Sequence, residues 1–458
     1  MVETAENRHA VPSPLKGGEE LRRRTIVLVG AGSAVFTRGL VADLILEGSP
    51  WDLRLVDISE ENLAVAHGLA RRMIDARKAD ITLSRTLDRR EALPGADAVV
   101  TTIAVGGRRG WEADVFIPRK YGIFQPVGDT IMPGGISRAL RMIPALVDIA
   151  KDVTRLCPAA NFFNYSNPMS ANCRAIRKAT GAAVVGLCHG VPHVESELAA
   201  MAGVPVKKCR FTSVGINHLT WIIRFDAGGR DGFDLLRKRL AELDAKGQPR
   251  GDRSEHFFSF EALDIFGAFP AVFDRHVTEF FPQLFRDGSH YGKKLGVDRF
   301  GFEEVIERGD RTFAAMKAQG EGREPLDESV LTRTAGEHER LIEILDCLES
   351  PRAKSFSVNV PNRGQVTNLP RDFVIECPAR ISAKGIRPVK IGDIPTGCAA
   401  TVEKALLAVE LTVEAALERD RRKLVQALIF DGSVKSVADA NALADELIAA
   451  HREHLPGW

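Results

Sequence analysis

The chain predicts an α/β fold: a Rossmann-like, doubly wound parallel sheet followed by an α+β domain. Three observations carry this expectation. Short apolar runs rich in β-branched residues alternate with helix-period segments as far as Cys188. A glycine turn, Gly30-Ala31-Gly32-Ser33, stands between the first such run and the first helix. After Cys188 the texture changes to extended segments mixed with charged helices.

The elements follow in order. Residues 25–29 (Thr-Ile-Val-Leu-Val) read as a buried parallel strand. A helix then runs to about Glu47 and closes near Gly48. Residues 53–56 form the next strand, ending in Asp57, and 60–79 are helical by period. A strand over 96–104 comes next, and Gly134-Gly135 opens a long helix to about Val153. Strands at 161–165 and 183–187 flank a helix at 169–179. Alternation of this kind implies right-handed crossovers.

Farther on, residues 219–225, Gly228-Gly229 and Phe233 suggest an antiparallel hairpin. Residues 240–345 are mostly helical around an aromatic stretch at 265–285. Extended signals return at 358–369 and 386–391, and 401–417 is a helix with small residues on one face. The implied organisation is a leader over 1–22, a nucleotide domain over 23–187 and an α+β metal- and substrate-binding domain over 188–458.

Composition narrows the function. The chain has 458 residues, too many for one small core. Lys+Arg is 62 against Asp+Glu 61, so no global charge favours nucleic acid or an anionic membrane. No apolar run approaches the roughly 18 residues that span a bilayer. The leader has no apolar stretch of signal-peptide type. Seven cysteines at irregular spacing argue against a disulfide framework and for a reducing cytoplasm.

Gly30 and Gly32 would let backbone N–H groups approach a pyrophosphate, which the helix N-terminus at Ser33 would stabilise. Asp57 is placed to accept from a ribose hydroxyl pair, favouring NAD over NADP. The third glycine of the fingerprint is absent, with Val35 and then Phe36 there instead. Asn167-Pro168 ends one parallel strand at its carboxyl edge, where an amide can bond a sugar hydroxyl. Cys188-His189 ends the next, and His218 follows thirty residues on. Thiolate and imidazole together suit a late first-row divalent ion. Each also has an ordinary reading: a turn asparagine, a core cysteine, a structural histidine.

The motifs taken together resemble glycoside hydrolase family 4, the NAD- and manganese-dependent glycosidases with a lactate/malate dehydrogenase-like nucleotide domain. Those motifs are Gly30-Ala31-Gly32-Ser33 with Phe36, Gly128-Asp129-Thr130 through Ile136, Asn167-Pro168-Met169, Cys188-His189-Gly190 and Asn217-His218. The segment 274–280 and Asn368-Leu369-Pro370 complete the pattern, which runs from about residue 24 to 450. The resemblance implies NAD at Gly30, Gly32, Ser33, Phe36 and Asp57, and Mn²⁺ on Cys188 and His218. It implies Asn167 at the sugar, Asp274 as the C2 base and His189 as the acid assisting the leaving group. Asp264 is a weaker candidate for the base.

The implied chemistry is a redox-assisted elimination, an exception to the usual two-carboxylate route. Hydride leaves C3, the ketone acidifies C2, the aglycone departs, water adds, and hydride returns. The tetrad Cys188-His189-Gly190-Val191 resembles the family's α-glucuronidase-like version, so an α-uronide is the leading substrate class. A uronate needs a cation; Arg108 and Arg141 are the candidates, with Arg109 and Arg138 nearby in sequence. Neutral α-glucosides or α-galactosides come next. Two rivals are a malate- or lactate-type 2-hydroxy acid dehydrogenase and a non-catalytic NAD-binding regulator. The partner is a small glycoside, and the resemblance implies a homodimer or homotetramer.

Overall fold

The strands begin as the alternation predicts. In this computed structural model, which describes residues 22–245, 256–331 and 339–458, β1 is Arg24–Val29, β2 Trp51–Val56, β3 Ile81–Thr86 and β4 Ala98–Thr101. Then come β5 Asn161–Asn164 and β6 Val185–Gly186. The expected leader falls, but for Arg22, outside the described residues. Pairing among these six is parallel, in the order β3-β2-β1-β4-β5-β6. That is the doubly wound dinucleotide-binding order, with ligands expected at the carboxyl ends of the strands.

The later strands are β7 Cys209–Ile216, β8 Leu219–Ala227, β9 Phe269–Pro270, a small pair β10 Ser289–His290 and β11 Lys293–Lys294, then β12 Lys354–Pro361, β13 Val374–Ser382 and β14 Gly385–Pro388. The sheet continues from β6 through β12, β13, β7 and β8 to β9, all antiparallel. One sheet therefore crosses the boundary expected at residue 188. The seam is the Asn359↔Gly186 pair, which covers what would be an open edge of the parallel half.

Local chemistry explains the helices. Ala34–Glu47 ends at Gly48, whose φ of 81° closes the helix. Glu60–Arg77 starts on Ser59, which accepts from the Asn62 N–H, with Glu60 and Glu61 in its first turn. Met132–Leu156 carries Pro133 in its first turn.

Two departures from expectation bear on the site. The hairpin turn lies at Asn217-His218, with β7 and β8 paired directly, while Gly228-Gly229 only ends β8. Gly215 permits this: a Cβ there would lie 2.2 Å from the Leu219 carbonyl oxygen. Strand β13 is also new. Glu376 and Pro378 interrupt its apolar pattern, although Ile375, Cys377, Ala379 and Ile381 are wholly buried.

Candidate active site

Four segments meet at the carboxyl edge of the parallel strands. Cys188 follows β6. The β7–β8 turn presents His218 with φ at 66°, an uncommon conformation for a residue with a side chain. The loop before the helix Met132–Leu156 carries Asp129 and Thr130. The short helix Asp274–Val277 carries His276.

Ligand atoms of Asp129, His218 and His276 all lie within 4.8 Å of one another. The Cys188 Sγ is 3.7 Å from His218 Nε2. Thr130 Oγ1 donates to Asp129 Oδ1 at 2.7 Å, so its lone pair accepts from His218 Nδ1 at 2.6 Å. That choice puts the proton on Nδ1 and leaves the Nε2 lone pair facing the sulfur. Asn167 donates to the other Asp129 oxygen at 2.9 Å. The His276 Nδ1 is buried with no hydrogen-bond partner. These are the outer contacts that orient metal ligands.

The charges agree. Burial lowers His218, and burial with the neighbouring His218 charge lowers His276 well below the usual histidine range. Both imidazoles are neutral near pH 7, the form that binds a metal. Burial opposes ionisation of Asp129, but His218, His276 and Arg138 outweigh it and hold this carboxyl down to about 2. Burial, with Glu376 behind it, pushes the Cys188 thiol up to about 12. Only a cation beside the sulfur would make it a thiolate at neutral pH. A thiol, two imidazoles and a carboxylate, with one orphaned ring nitrogen, suit a divalent transition ion.

Beside this cluster runs a cleft of about 870 Å³, bordered by Gly30, Gly32, Ser33, Asp57 and Arg138. Asp57 accepts from the N–H groups of Gly32 at 2.8 Å and Ser59 at 2.9 Å, which fixes the glycine turn. Each of its oxygens keeps a lone pair for a ribose hydroxyl. Phe36 packs edge-on against Tyr165, with ring centroids 4.8 Å apart. The glycine turn, helix N-terminus and acid fit a dinucleotide.

Three expected roles change. Asp274 is wholly buried, and its oxygens accept from Phe258 N, Ser259 N, Ser259 Oγ and His290 Nε2 at 2.6–2.9 Å. It anchors the segment bearing His276 and presents no free carboxylate as a base. Arg141 is buried in a two-pronged ion pair with Asp114, both contacts 2.7 Å, and His451 closes the triad at 2.9 Å. It locks the C-terminal segment and reads no substrate. Arg108 borders the cleft, but it is paired with Asp310, and Arg109 with Asp310 and Glu112. Asp264 is on the surface, facing Arg237. His189 is exposed at the start of the helix Gly190–Met201, next to Cys188.

Asp129, Thr130 and His276 carry no role in the sequence reading. The signals were present: Asp129-Thr130 sits just before a helix N-terminus, and His276 lies two residues from the acid chosen instead. Glu279 is a further member. Its Oε1 accepts from Val127 N at 3.0 Å and Gly128 N at 2.7 Å, tying the His276 segment to the Asp129 loop.

Comparison with known proteins identifies the family. Residues 25–204 match the family 4 glycosyl hydrolases, and residues 213–434 match the family 4 glycosyl hydrolase C-terminal domain. The chain is 32% identical to an alpha-galactosidase of Rhizobium meliloti (strain 1021), over 94% of this chain and 89% of that one. It is 31% identical to an alpha-galacturonidase of Thermoanaerobacterium saccharolyticum, over 95% and 97%. The fold is shared with a 6-phospho-alpha-glucosidase from gut microorganisms, solved in complex with NAD and Mn²⁺. That match has a TM-score of 0.82 at 19% identity, covering 95% of this chain and 99% of the other. With a sequence match spanning nearly its whole length and both domain signatures in order, the chain belongs to family 4 of the glycosyl hydrolases.

Proposed function

We propose that the protein hydrolyses α-glycosides, with α-uronides as the leading substrates, using tightly held NAD and a divalent ion such as Mn²⁺. The observation that carries this is the placement of the Cys188–His218–His276–Asp129 cluster beside the dinucleotide-sized cleft. NAD would supply reversible oxidation at C3, and the metal would polarise the C2 and C3 oxygens.

The chain's own groups have distinct tasks. Cys188, His218, His276 and Asp129 would hold the ion. Thr130 sets the His218 tautomer. Asn167, whose amide reaches Asp129, would bond a sugar hydroxyl beside the ion. His189, exposed next to Cys188, would give a proton to the departing oxygen. Gly30, Gly32, Ser33, Phe36 and Asp57 would seat the dinucleotide. A dehydrogenase of malate or lactate type has no use for this cluster, and a binding-only regulator has no use for its tautomer control.

The similarity to an alpha-galacturonidase and the Cys188-His189-Gly190-Val191 tetrad support the uronide. The similarity to an alpha-galactosidase favours the second reading, a neutral α-galactoside. Incubation of 4-nitrophenyl α-glycosides with NAD, Mn²⁺ and reductant in deuterated water tests the chemistry. Phenol release with deuterium at C2 is expected; release with C2 unlabelled defeats the elimination route.

A further inference from the structure

One cation beside the cluster has no ion-pair partner among the described residues. Arg275 directly precedes His276 on the helix Asp274–Val277. Its Nε is buried without a hydrogen-bond partner. Among the described residues its guanidinium forms no ion pair, and neither does that of Arg308. Arg308 lies on the helix Phe302–Gly320, close enough to repel Arg275. That helix is pinned over the site. Phe302 packs edge-on against Trp111 at 5.0 Å, and Trp111 Nε1 donates to the Val127 carbonyl at 2.7 Å, in the loop leading to Asp129.

The two like charges repel, and neither has an ion-pair partner among the described residues to hold it in place. Of the acids nearby, Asp129 attracts Arg275 without pairing with it, and neither it nor Glu279 is committed to the two guanidinium groups. Asp129 faces the metal ligands, where a bound ion would claim its charge. Glu279 is wholly buried, and burial pushes its acid up to about 8, so it is mostly neutral at pH 7. Arg108 and Arg109 differ from this pair, because Asp310 and Glu112 together match them. A planar guanidinium suits a carboxylate, which it can grip with two parallel hydrogen bonds.

We propose that Arg275 and Arg308 form the subsite that reads the C6 carboxylate of an α-uronide, and so set the enzyme's preference for uronides over neutral hexosides. This rests on the glycosidase reading above. Anchoring of Asp274 by four donors makes the Arg275 backbone rigid, so the grip is built before substrate arrives.

The test compares 4-nitrophenyl α-D-galacturonide and α-D-glucuronide with the matching galactoside and glucoside, for wild type, Arg275→Gln and Arg308→Gln. A charge-assisted hydrogen bond contributes enough that losing one lowers the uronide-to-neutral ratio of kcat/KM roughly 10- to 100-fold. Free galacturonate should also raise the Tm of the NAD- and Mn²⁺-loaded wild type and raise that of either variant less. Arg308→Gln changes an exposed residue, so its folding is not in question. An unchanged ratio in both variants overturns the assignment. So does a wild type that prefers neutral or 6-phosphorylated glycosides, and either result leaves the glycosidase reading standing. If no α-glycoside is cleaved, with or without a C6 charge, the glycosidase reading itself fails.

Discussion

Replacing Asp274 by Asn separates an anchor from a base. The carboxylate takes four donors, two of them backbone N–H groups that open the helix Phe257–Phe266 and one from His290. An amide offers one oxygen and turns an NH₂ toward donors that need an acceptor. The NH₂ leaves two of these buried donors without an acceptor, at roughly 1–3 kcal/mol each and so about 3–5 kcal/mol together. For a chain of this length the unfolding entropy converts each kcal/mol to about 1 °C, so Tm should fall by roughly 3–5 °C in calorimetry. Because the same segment carries His276, Mn²⁺ affinity should weaken alongside. The base reading predicts the opposite pattern: an unchanged Tm, unchanged metal and NAD binding, and loss of C2 deuterium exchange alone. That pattern would refute the anchor.

Other perturbations are predicted as directly. Thr130→Val removes the group that fixes the His218 tautomer, and losing such an outer contact should weaken Mn²⁺ binding roughly 10- to 100-fold by titration calorimetry. Gly32→Ala puts a methyl 2.6 Å from Asn62 Cβ and 2.7 Å from Asp57 Oδ2, so NAD affinity, followed by fluorescence, should fall at least about tenfold as Asp57 is displaced. Burial raises Asp431 from 3.8 to about 6, so the folded state holds its proton longer than the unfolded chain does. Its stabilising effect is complete below about pH 4 and is lost as pH rises to about 6, up to roughly 3 kcal/mol. Asp431→Asn stays neutral, so its Tm relative to wild type should climb between pH 4 and 6; a flat difference would contradict this.

The parallel half was legible because burial on both faces leaves plain apolar runs. Residues 25–29 and 53–56 fall within β1 and β2, and Gly48 closes its helix as expected. β3 was missed because it is an edge strand that buries only Ile81 and Leu83 among polar neighbours. β13 was missed because it is central yet carries a buried carboxylate. Glu376 accepts from Asn217 and Thr220 at 3.2 and 2.9 Å, contacts made across the sheet that no local pattern encodes. In the site, Cys188 and His218 could be named from residue type and position, and the structure sets them 3.7 Å apart. Which of Asp274 and His276 faces the cluster could not be read that way. Both stand in the same short helix, and the choice depends on His290, Phe258 and Ser259 drawing the acid away.

The cluster also explains why the sheet runs without a break through the chain. Asp129 and Cys188 come from the nucleotide-binding half, while His218 and His276 come from beyond it. Neither half holds all four of the proposed ligands. They face each other because β12 joins β6, β13 joins β7, and Glu279 reaches back to the Asp129 loop. A hinge between the halves would open the cluster each time it moved. A continuous ladder of backbone hydrogen bonds resists that motion. It keeps the ligand atoms of Asp129, His218 and His276 within 4.8 Å of one another, a span that metal–ligand bonds of roughly 2.0–2.3 Å can bridge with little adjustment. Rigid placement of charge where it develops contributes most when no reorganisation is needed at the moment of reaction, and the shared sheet meets that condition.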